Sequence, residues 1–302
     1  MSSETEAAQE GRRAPAGDLR RRLLSTLPVT EQRLGLAGIS TATLVGGEGP
    51  PVVLLHGPAG YAAHWIRVIP GLAATNRVVA PDLPGHGASE ADTGDLNAAR
   101  MLEWLGQLIE RTCPTRPILV GHLLGGAIAA RFAIEHPDRL ARLVLVDTFG
   151  LARFEPSPEF GMALHDYLSR PAHDTHDQFW RHCSFQLDQL RDHLGDAWTP
   201  FRSYNLDRLR APQVQTSMGS LMAQFAAEPI PADELAEITV ATSLIWGRHD
   251  RATPLPIAEA ASAAYGWPLH VIDDANDDPA IDQPQAFLRA LHGSTDAAQE
   301  ES

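Results

Sequence analysis

The stretch Leu119-Val-Gly-His-Leu-Leu-Gly-Gly126 decides the fold of this chain. It begins in an apolar segment typical of a buried strand and ends in small residues that open a helix. Gly121 and Gly125 lie where a tight turn between a strand and a helix needs residues without side chains. We therefore predict a sharp strand-to-helix turn that projects the residue between these glycines, Leu123, above the end of the strand.

Strands and helices alternate on both sides of this turn. Short, continuous apolar segments predict buried strands at Val52–Leu55, Arg77–Ala80, Pro117–Val120, Leu143–Val146, Thr242–Trp246 and Leu269–Ile272. Amphipathic spacing predicts helices at Asp18–Leu27, Ala98–Arg111, Gly126–Glu135, Pro256–Ala264 and Pro284–Leu291. This alternation indicates an α/β fold with a mostly parallel, doubly wound sheet, whose functional loops lie at the carboxyl ends of the strands.

One long segment, residues 151–238, departs from the alternation. It contains many aromatic residues and prolines, with helical patterns at Phe179–Leu194 and Ser217–Ala227. A helical insertion between two strands predicts a cap that covers the strand ends and shapes a pocket. The sheet core is then formed by residues 17–150 and 239–292. The polar ends of the chain, residues 1–16 and 293–302, are predicted to be disordered tails.

The composition excludes several classes of partner. The chain has 302 residues and a net charge of −14, so nucleic acid and anionic membrane surfaces, which need a basic patch, are not expected to bind. No apolar run is long enough for a membrane span or a signal peptide. The two cysteines, Cys113 and Cys183, suggest neither a metal site nor a disulfide framework. A cytoplasmic location is expected, and the oligomeric state is not determined.

The turn at Leu123 resembles the Gly-x-Ser-x-Gly nucleophile elbow of capped α/β hydrolases. Four other segments resemble motifs of that superfamily and occur in the same order: the oxyanion-loop motif Leu54–Pro58, the loop Ala80–Ser89, the acid-bearing segment Leu244–Asp250 and the final loop His270–Pro279. The resemblance runs from about Arg33 to Leu291. It implies the α/β-hydrolase fold and assigns three catalytic positions to Leu123, Asp250 and Asp277.

Two of these three positions are changed. The serine that attacks the substrate carbonyl is replaced by Leu123, and the histidine that takes its proton is replaced by Asp277. Leucine has no lone pair, and a carboxylate cannot replace an imidazole held by a second acid. Removal of triad members costs roughly four to six orders of magnitude in comparable enzymes. The sequence therefore predicts that this chain is not a conventional serine hydrolase.

The oxyanion hole is a third part of the catalytic centre that differs from the superfamily pattern. The resemblance assigns this region to Gly57, Pro58, Ala59 and Leu124. Pro58 has no N–H to donate where the superfamily normally donates one. The amide of Leu124 remains, and the amide of Ala59 could donate if the path of the loop is shifted.

Four further residues are candidates to line the pocket: His56, Tyr61, His122 and Asp147. For His56 and His122 the alternative is a buried, hydrogen-bonded imidazole without a catalytic role. Tyr61 could equally belong to the start of the next helix. No metal site is predicted, because no carboxylate or cysteine completes a ligand set with the cap histidines. No cofactor is predicted either.

Asp250 and Asp277 are the candidate catalytic residues. The resemblance places them where the acid and the histidine of a triad would touch. Two adjacent carboxylates cannot both ionise cheaply, so one would have a raised pKa and could act as a general acid or base. In the alternative, a water or Arg248 bridges the two carboxylates and no catalysis follows.

Three functions remain open at this point. The first is a non-hydrolytic catalyst (a cyclase, lyase or isomerase) acting on an apolar small molecule under the cap. The second is a catalytically silent pseudo-hydrolase that binds a small molecule or regulates a partner. The third is a hydrolase with a non-standard nucleophile. Leucine at the elbow makes the catalytic floor apolar, which favours an apolar substrate or ligand in each of the first two.

Overall fold

An eight-stranded, mostly parallel sheet forms the centre of this computed structural model, which describes residues 15–90 and 96–296. The strand order is β1-β2-β4-β3-β5-β6-β7-β8. The strands are β1 (Thr30–Leu36), β2 (Ile39–Gly46), β3 (Pro51–Leu55), β4 (Arg77–Pro81), β5 (Ile118–His122), β6 (Arg142–Val146), β7 (Thr242–Gly247) and β8 (Leu269–Ile272). Strands β1 and β2 run antiparallel to their neighbours, whereas β4, β3, β5, β6, β7 and β8 pair in parallel.

Helices connect the strands and cover the sheet. They are α1 (Ala16–Leu24), α2 (Ile69–Ala73), α3 (Ala98–Thr112), α4 (Leu124–Glu135), α5 (Pro158–Ser169), α6 (His173–Cys183), α7 (Leu187–Leu194), α8 (Trp198–Arg210), α9 (Pro212–Phe225), α10 (Ala232–Ala236), α11 (Pro256–Tyr265), α12 (Pro279–Asp282) and α13 (Pro284–Asp296). Short 3₁₀ helices occur at Ala62–Trp65, Pro137–Arg139 and Gly195–Ala197. Helices α5 to α10 all lie between β6 and β7, and we call residues 151–238 the cap.

The predicted fold class is confirmed: the sheet is mostly parallel, helices surround it, and a helical cap is inserted between two strands. The central strands are buried because helices cover both faces of a parallel sheet. Every residue of β3 and β6 is buried. The carboxyl ends of β3, β5, β6 and β7 meet at one edge of the sheet, and this edge carries the elbow.

The sequence analysis missed the hairpin formed by β1 and β2. Strand β1 is largely exposed and polar, so it lacks the continuous apolar run of a buried strand. The hairpin turns at Ala37 and Gly38, which both have positive φ, 45° and 81°. Such a two-residue turn usually carries Asn-Gly or Asp-Gly, and alanine at its first position hides the signal.

Several predicted boundaries are corrected by the structure. The predicted helix Phe179–Leu194 is two helices, because α6 ends at Cys183 and α7 begins at Leu187. The predicted segment Ser217–Ala227 belongs to a longer helix, α9, which begins at Pro212. Helices α1 and α13 extend into the two predicted tails, by residue 16 and by residues 293–296; residues 1–14 and 297–302 lie outside the described residues. No helix in the described part of the chain has the length and apolarity needed to cross a membrane.

Candidate active site at the strand-to-helix turn

The turn between β5 and α4 has the strained backbone of a nucleophile elbow. Leu123 has φ 47° and ψ −109°, a conformation that costs a residue with a side chain about 1–3 kcal/mol. Neighbouring backbone approaches Gly121 and Gly125 so closely that no side chain fits at either position. A Cβ atom at Gly121 would lie 2.4 Å from the carbonyl oxygen of Gly125, and one at Gly125 would lie 2.4 Å from that of Leu55. The elbow has therefore kept its backbone although it has lost its serine.

The side chain of Leu123 packs against the oxyanion loop. A Cβ atom built on Gly57 would lie 3.3 Å from Cδ1 of Leu123, so the isobutyl group contacts this loop directly. Only 7% of Leu123 is exposed. The elbow residue is thus part of the hydrophobic core and covers the place where a serine hydrolase binds the substrate carbonyl.

The oxyanion loop forms a tight turn in which the amide of Gly60 donates to the carbonyl of Gly57 at 3.1 Å. Proline at the second position and a positive φ at the third are typical of a type II turn, and Ala59 has φ 54°. Pro58 has no amide hydrogen. The N–H of Leu124, the first residue of α4, cannot be used inside the helix and remains available as a donor.

His56 connects the oxyanion loop to the loop that follows β4. Its role is structural and not catalytic. Its Nε2 accepts a hydrogen bond from the amide of Leu83 at 3.0 Å, and its Nδ1 lies 2.8 Å from the carbonyl oxygen of Gly57. Nδ1 therefore carries the proton, since a carbonyl can only accept. Burial, with His86 nearby, holds the pKa of His56 well below its usual value, so the imidazole is neutral.

Asp250 has Asp147 as its immediate acidic neighbour. Asp250 Oδ1 accepts hydrogen bonds from the amides of Ala252 at 2.7 Å and Thr253 at 2.9 Å. Its other oxygen accepts from the Thr253 hydroxyl. Burial raises the pKa of Asp250 to about 6, although the hydrogen bonds from Thr253 oppose that shift. Burial and the charge of Asp250 raise the pKa of Asp147 well above its usual value.

Asp147 itself sits at the end of β6 in a strained conformation, with φ 42°. Its Oδ1 accepts a hydrogen bond from the amide of Gly247 at 2.9 Å, and its carbonyl accepts one from Thr253 Oγ1 at 3.0 Å. Asp147 and Asp250 therefore form a pair of buried acids held between β6 and β7, and burial raises the pKa of both carboxyls. Arg248, offered as a bridge between Asp250 and Asp277, instead pairs with the exposed Asp273.

Asp277 lies close enough to the acid pair to be influenced by it. Burial, followed by the charges of Asp250, Asp278 and Asp282, raises the pKa of Asp277 well above its usual value. Its Oδ1 is buried without a hydrogen-bond partner among the described residues, and Cys183 contacts the carboxyl. The apolar and acidic environment of Asp277 therefore favours the protonated form of its carboxyl.

A pH titration of stability tests this state of Asp277. In the unfolded chain an aspartate is ionised above about pH 4, whereas the raised pKa keeps Asp277 protonated in the folded chain. Folding therefore takes up a proton, and the free energy of unfolding falls as pH rises, by up to about 1.4 kcal/mol per pH unit, until the folded pKa is reached. The Asp277→Asn variant removes this proton uptake. We expect its stability to decline less steeply than that of the wild type between about pH 5.5 and 8.

Urea denaturation at several pH values measures both slopes. The matched control is Asp274→Asn, which changes an exposed residue of the same loop and should keep the wild-type slope. If Asp277→Asn and the wild type have equal slopes, the Asp277 carboxyl is ionised in the folded protein.

His122 binds the final loop through Nε2, and its Nδ1 lies beside Gly57, next to the side chain of Leu123. Its Nε2 lies 2.6 Å from the carbonyl oxygen of Asp277 and must donate, because a carbonyl only accepts. Burial lowers the pKa of His122, although the charge of Asp278 opposes that shift. The ring of His122 stacks on that of His64, with centroids 5.9 Å apart and planes 15° from parallel. His64 in turn pairs with the Asp278 carboxylate through Nε2.

The space above the elbow is closed by aromatic rings from the cap. Tyr61 meets the edge of Tyr204 with ring centroids 4.6 Å apart. Trp180 lies over Phe201 at 5.0 Å and approaches His64 at 5.9 Å. All of these cap rings are buried. The aromatic residues that the sequence could not assign to core or pocket therefore include Trp180, Phe201 and Tyr204 as the ceiling of the site.

Several buried polar atoms around the elbow have no hydrogen-bond partner in the described residues: Tyr61 Oη, Trp65 Nε1, His122 Nδ1, Asp147 Oδ2 and Asp277 Oδ1. Asp147 Oδ2 can share a proton with the neighbouring carboxyl of Asp250. An unsatisfied buried polar group is costly, so such groups usually face a water, an ion or a ligand. Each of these atoms is a position at which a bound molecule or water could form a hydrogen bond.

Two surface cavities of about 220 Å³ and 380 Å³ stand out in the described residues. The first lies between α7 and the loop before α13, and the second lies near Asp138 and Val240. Neither is lined by Leu123, Asp250 or Asp277. Leu123 itself is buried, so the elbow residue lies beneath the protein surface.

The structure thus brings most of the predicted site residues together around Leu123. Gly57, Tyr61 and His122 surround the elbow, and Asp147, Asp250 and Asp277 form the acidic cluster beside it. His56 instead supports the loop from behind. The sequence analysis missed the role of Asp278, which directly follows the triad position, and its pairing with His64. The only hint in the sequence was that Asp278 lies in the final-loop motif and that His64 follows the oxyanion-loop motif.

Comparisons with known proteins place this geometry in a family. A family model described as "alpha/beta hydrolase fold" matches residues 50–284. The pimeloyl-[acyl-carrier protein] methyl ester esterase of Aeromonas hydrophila is 28% identical over 251 residues, which cover 81% of this chain and 95% of that protein. The 2-hydroxy-6-oxononadienedioate/2-hydroxy-6-oxononatrienedioate hydrolase of Klebsiella pneumoniae is 31% identical over 235 residues, covering 74% and 79%.

A solved structure shows the same architecture. The 2-hydroxy-6-oxo-6-phenylhexa-2,4-dienoate hydrolase from Rhodococcus sp. strain RHA1 superposes with a TM-score of 0.77 at 23% identity. The match covers 89% of this chain and 99% of that one. At this identity the likeness establishes the fold and no more.

Proposed function

We propose that this chain, which belongs to the α/β-hydrolase fold family, no longer performs serine-dependent hydrolysis and instead binds an apolar small molecule between its cap and its sheet. It is a pseudo-hydrolase in this proposal: the scaffold remains and the triad is degenerate. A cytoplasmic location is part of the same proposal. The relatives are named as esterases and C–C bond hydrolases, so the proposal concerns what this chain has changed.

The observation that carries the proposal is an intact elbow that holds a leucine. The backbone strain at Leu123 and the close approaches at Gly121 and Gly125 are features of a nucleophile elbow. At the same position the side chain has no atom that can attack a carbonyl. Asp277 is a neutral acid where the proton-accepting histidine would stand. Loss of both groups removes acyl transfer while the fold is retained.

The lining of the closed site indicates the chemistry of the ligand. Its floor is the Leu123 side chain, and its ceiling is formed by Trp180, Phe201 and Tyr204. The unsatisfied polar atoms of Tyr61 and Asp277 provide a small number of positions for hydrogen bonds. Predominantly apolar walls with few polar groups are typical of small-molecule sites. The names of two relatives give as substrates a pimeloyl-[acyl-carrier protein] methyl ester and 2-hydroxy-6-oxo-6-phenylhexa-2,4-dienoate, which contain an acyl chain and a phenyl ring.

A fluorophosphonate probe tests the loss of the nucleophile. Such probes label serine hydrolases by covalent attachment to an activated serine. We expect no labelling of the folded protein, and hydrolysis of p-nitrophenyl acetate no faster than in buffer without protein. An active esterase of the same fold serves as the positive control. Stoichiometric labelling of this chain would show an unrecognised nucleophile and overturn the proposal.

A second function has its own supporting observation. The Asp277 Oδ1 atom is buried and unpartnered, and the carboxyl is protonated, so it could donate a proton to a bound substrate. This is the non-hydrolytic catalyst of the sequence analysis. The Asp277→Asn variant separates the two functions. Turnover of a substrate would be lost in the variant under this second function, whereas ligand binding would persist under the first.

A further inference from the structure

We infer that His64, His122 and Asp278 form a binding site for one divalent transition-metal ion, with zinc as the best-matched class. The site lies beside the degenerate triad and joins three segments that are distant in sequence. This inference goes beyond the proposed function and does not rest on it, because metal binding requires neither turnover nor an organic ligand.

The three side chains already converge. One ligand atom from each of His64, His122 and Asp278 lies within 4.8 Å of the other two. Around a tetrahedral zinc, with bonds of about 2.1 Å, ligand atoms are separated by about 3.3 Å. The Asp278 carboxylate and the His64 imidazole are in direct contact, so a metal would enter between them and separate them slightly. Only small side-chain shifts are needed to convert the observed cluster into a coordination shell.

The protonation pattern of His122 is that of a metal ligand. Its Nε2–H donates to the carbonyl of Asp277 at 2.6 Å, which leaves Nδ1 as the nitrogen with the free lone pair. Nδ1 is buried and has no hydrogen-bond partner among the described residues. Histidines that bind metals almost always donate their second ring N–H to a carboxylate or a backbone carbonyl. The Asp277 carbonyl has this orienting role here.

The charge around the cluster also favours a cation. The buried carboxyls Asp250, Asp277, Asp278 and Asp282 act on one another electrostatically. Two imidazoles, those of His64 and His122, act electrostatically on the Asp278 carboxylate. The guanidinium of Arg67 does so from the neighbouring loop. The Arg67 guanidinium donates to the backbone carbonyls of Ile281 and Asp282. A divalent ion bound to the Asp278 carboxylate would place positive charge beside these carboxyls.

Two imidazoles and one carboxylate are the ligand set that zinc and related ions use in sites with a free coordination position. A metal at His64 Nε2 displaces the proton that this nitrogen donates to Asp278. One proton is released for each ion bound when His64 starts as an imidazolium, whereas in a neutral ring the proton moves to Nδ1 and none is released. The ion would clamp the 3₁₀ helix Ala62–Trp65, the end of β5 and the start of α12 together. Water could occupy the remaining position.

Titration of the chelator-treated, full-length protein with Co²⁺ tests the site. We expect one ion to bind per chain, with the visible absorption of a low-symmetry cobalt centre, and Zn²⁺ to displace it in a calorimetric titration. Removal of one ligand should weaken binding by about 100-fold or more, since even an outer-shell partner of a metal ligand is worth 10- to 100-fold. Metal should also raise the melting temperature of the wild type.

The informative variants are His64→Gln and Asp278→Asn, which can keep a hydrogen bond between the two positions while removing a strong ligand. His165→Gln, an exposed change on α5, is the matched control and should bind as the wild type does. Thermal melts establish that each variant is folded. If the folded wild type binds no Co²⁺ in a one-to-one complex, or if His64→Gln binds it equally well, the cluster is only a structural ion pair and the inference is wrong.

Discussion

Replacing Leu123 by serine together with Asp277 by histidine should raise the rate of p-nitrophenyl acetate hydrolysis by about 10³-fold over the wild type. Loss of the triad costs about four to six orders of magnitude in comparable enzymes, so restoring both groups recovers a large part of that factor. The recovery is expected to be incomplete because the cap is closed over the elbow and Pro58 cannot donate to the oxyanion.

The geometry gives the restored groups their positions. The backbone at residue 123 already has φ 47° and ψ −109°, so a serine there would inherit the elbow conformation. The amide of Leu124 provides one oxyanion donor at the start of α4. Asp250 is oriented by the amides of Ala252 and Thr253 and can receive the histidine N–H. A small acetate ester is the proper substrate, since it makes the least demand on opening of the cap.

Single variants separate the contributions of the two residues. Leu123→Ser alone has a nucleophile without a base, and Asp277→His alone has a base without a nucleophile, so each should gain less than about tenfold. Labelling by a fluorophosphonate should appear only when serine and histidine are both present. A double variant that is folded, inert and unlabelled would show that Asp277 does not occupy the histidine position.

The elbow could be predicted from sequence because its determinants are local. Gly121 and Gly125 are needed where backbone from β3 and α4 approaches within 2.4 Å of a Cβ position, and only glycine fits. Their spacing around one residue is therefore visible in a single short motif. The parallel strands were predictable for a similar reason, since burial on both faces writes a continuous apolar run into the sequence.

The pairing of acidic residues could not be predicted in the same way. Asp147 follows β6 and Asp250 follows β7, and their contact depends on the register in which Val146 pairs with Ile245. Sequence analysis expected Asp277 to be the partner of Asp250, because the superfamily pattern pairs acid with histidine. In the structure Asp250 acts electrostatically on Asp147 as well as on Asp277. The contact of His64 with Asp278 likewise depends on how distant loops pack.

Arg20 provides the second large effect, on stability. This residue of α1 is buried, and its Nη2 lies 2.9 Å from Oδ2 of Asp82. Nε pairs with Glu31, and Nη1 donates to the hydroxyl of Tyr204 at 3.3 Å. Burial opposes ionisation, but the attraction of Asp82, followed by Tyr204 and Glu31, outweighs it and raises the pKa of Arg20. One guanidinium therefore joins the N-terminal helix, the sheet core and the cap.

Asp82 is also fixed by the core on its other side. Its oxygens accept hydrogen bonds from the amides of Ala62 at 2.6 Å and Ala88 at 2.7 Å. Burial raises the pKa of Asp82 in spite of Arg20. Removal of Arg20 leaves a fully buried carboxylate without its cation, and breaking a buried ion pair in this way typically costs 3–5 kcal/mol.

Arg20→Met should therefore lower the free energy of unfolding by about 3–5 kcal/mol near pH 8. The loss should be smaller near pH 5. Without Arg20 the folded pKa of Asp82 rises further above its unfolded value, so the variant loses stability as pH increases through that pKa. At low pH the carboxyl is protonated and the missing cation matters less. Urea denaturation at the two pH values measures the difference directly.

Arg22→Met is the matched control, because Arg22 lies on the same helix and is exposed. It removes the same charge and should change stability by less than about 0.5 kcal/mol at either pH. If Arg20→Met loses no more than Arg22→Met at pH 8, the buried pair contributes nothing to folding and α1 is not anchored through it. A loss of stability in Arg20→Met and not in Arg22→Met would instead show that Arg20 anchors α1, through Asp82, to the loop that follows β4. Since Tyr204 lies on Tyr61, that result would also connect α1 to the closed state of the cap.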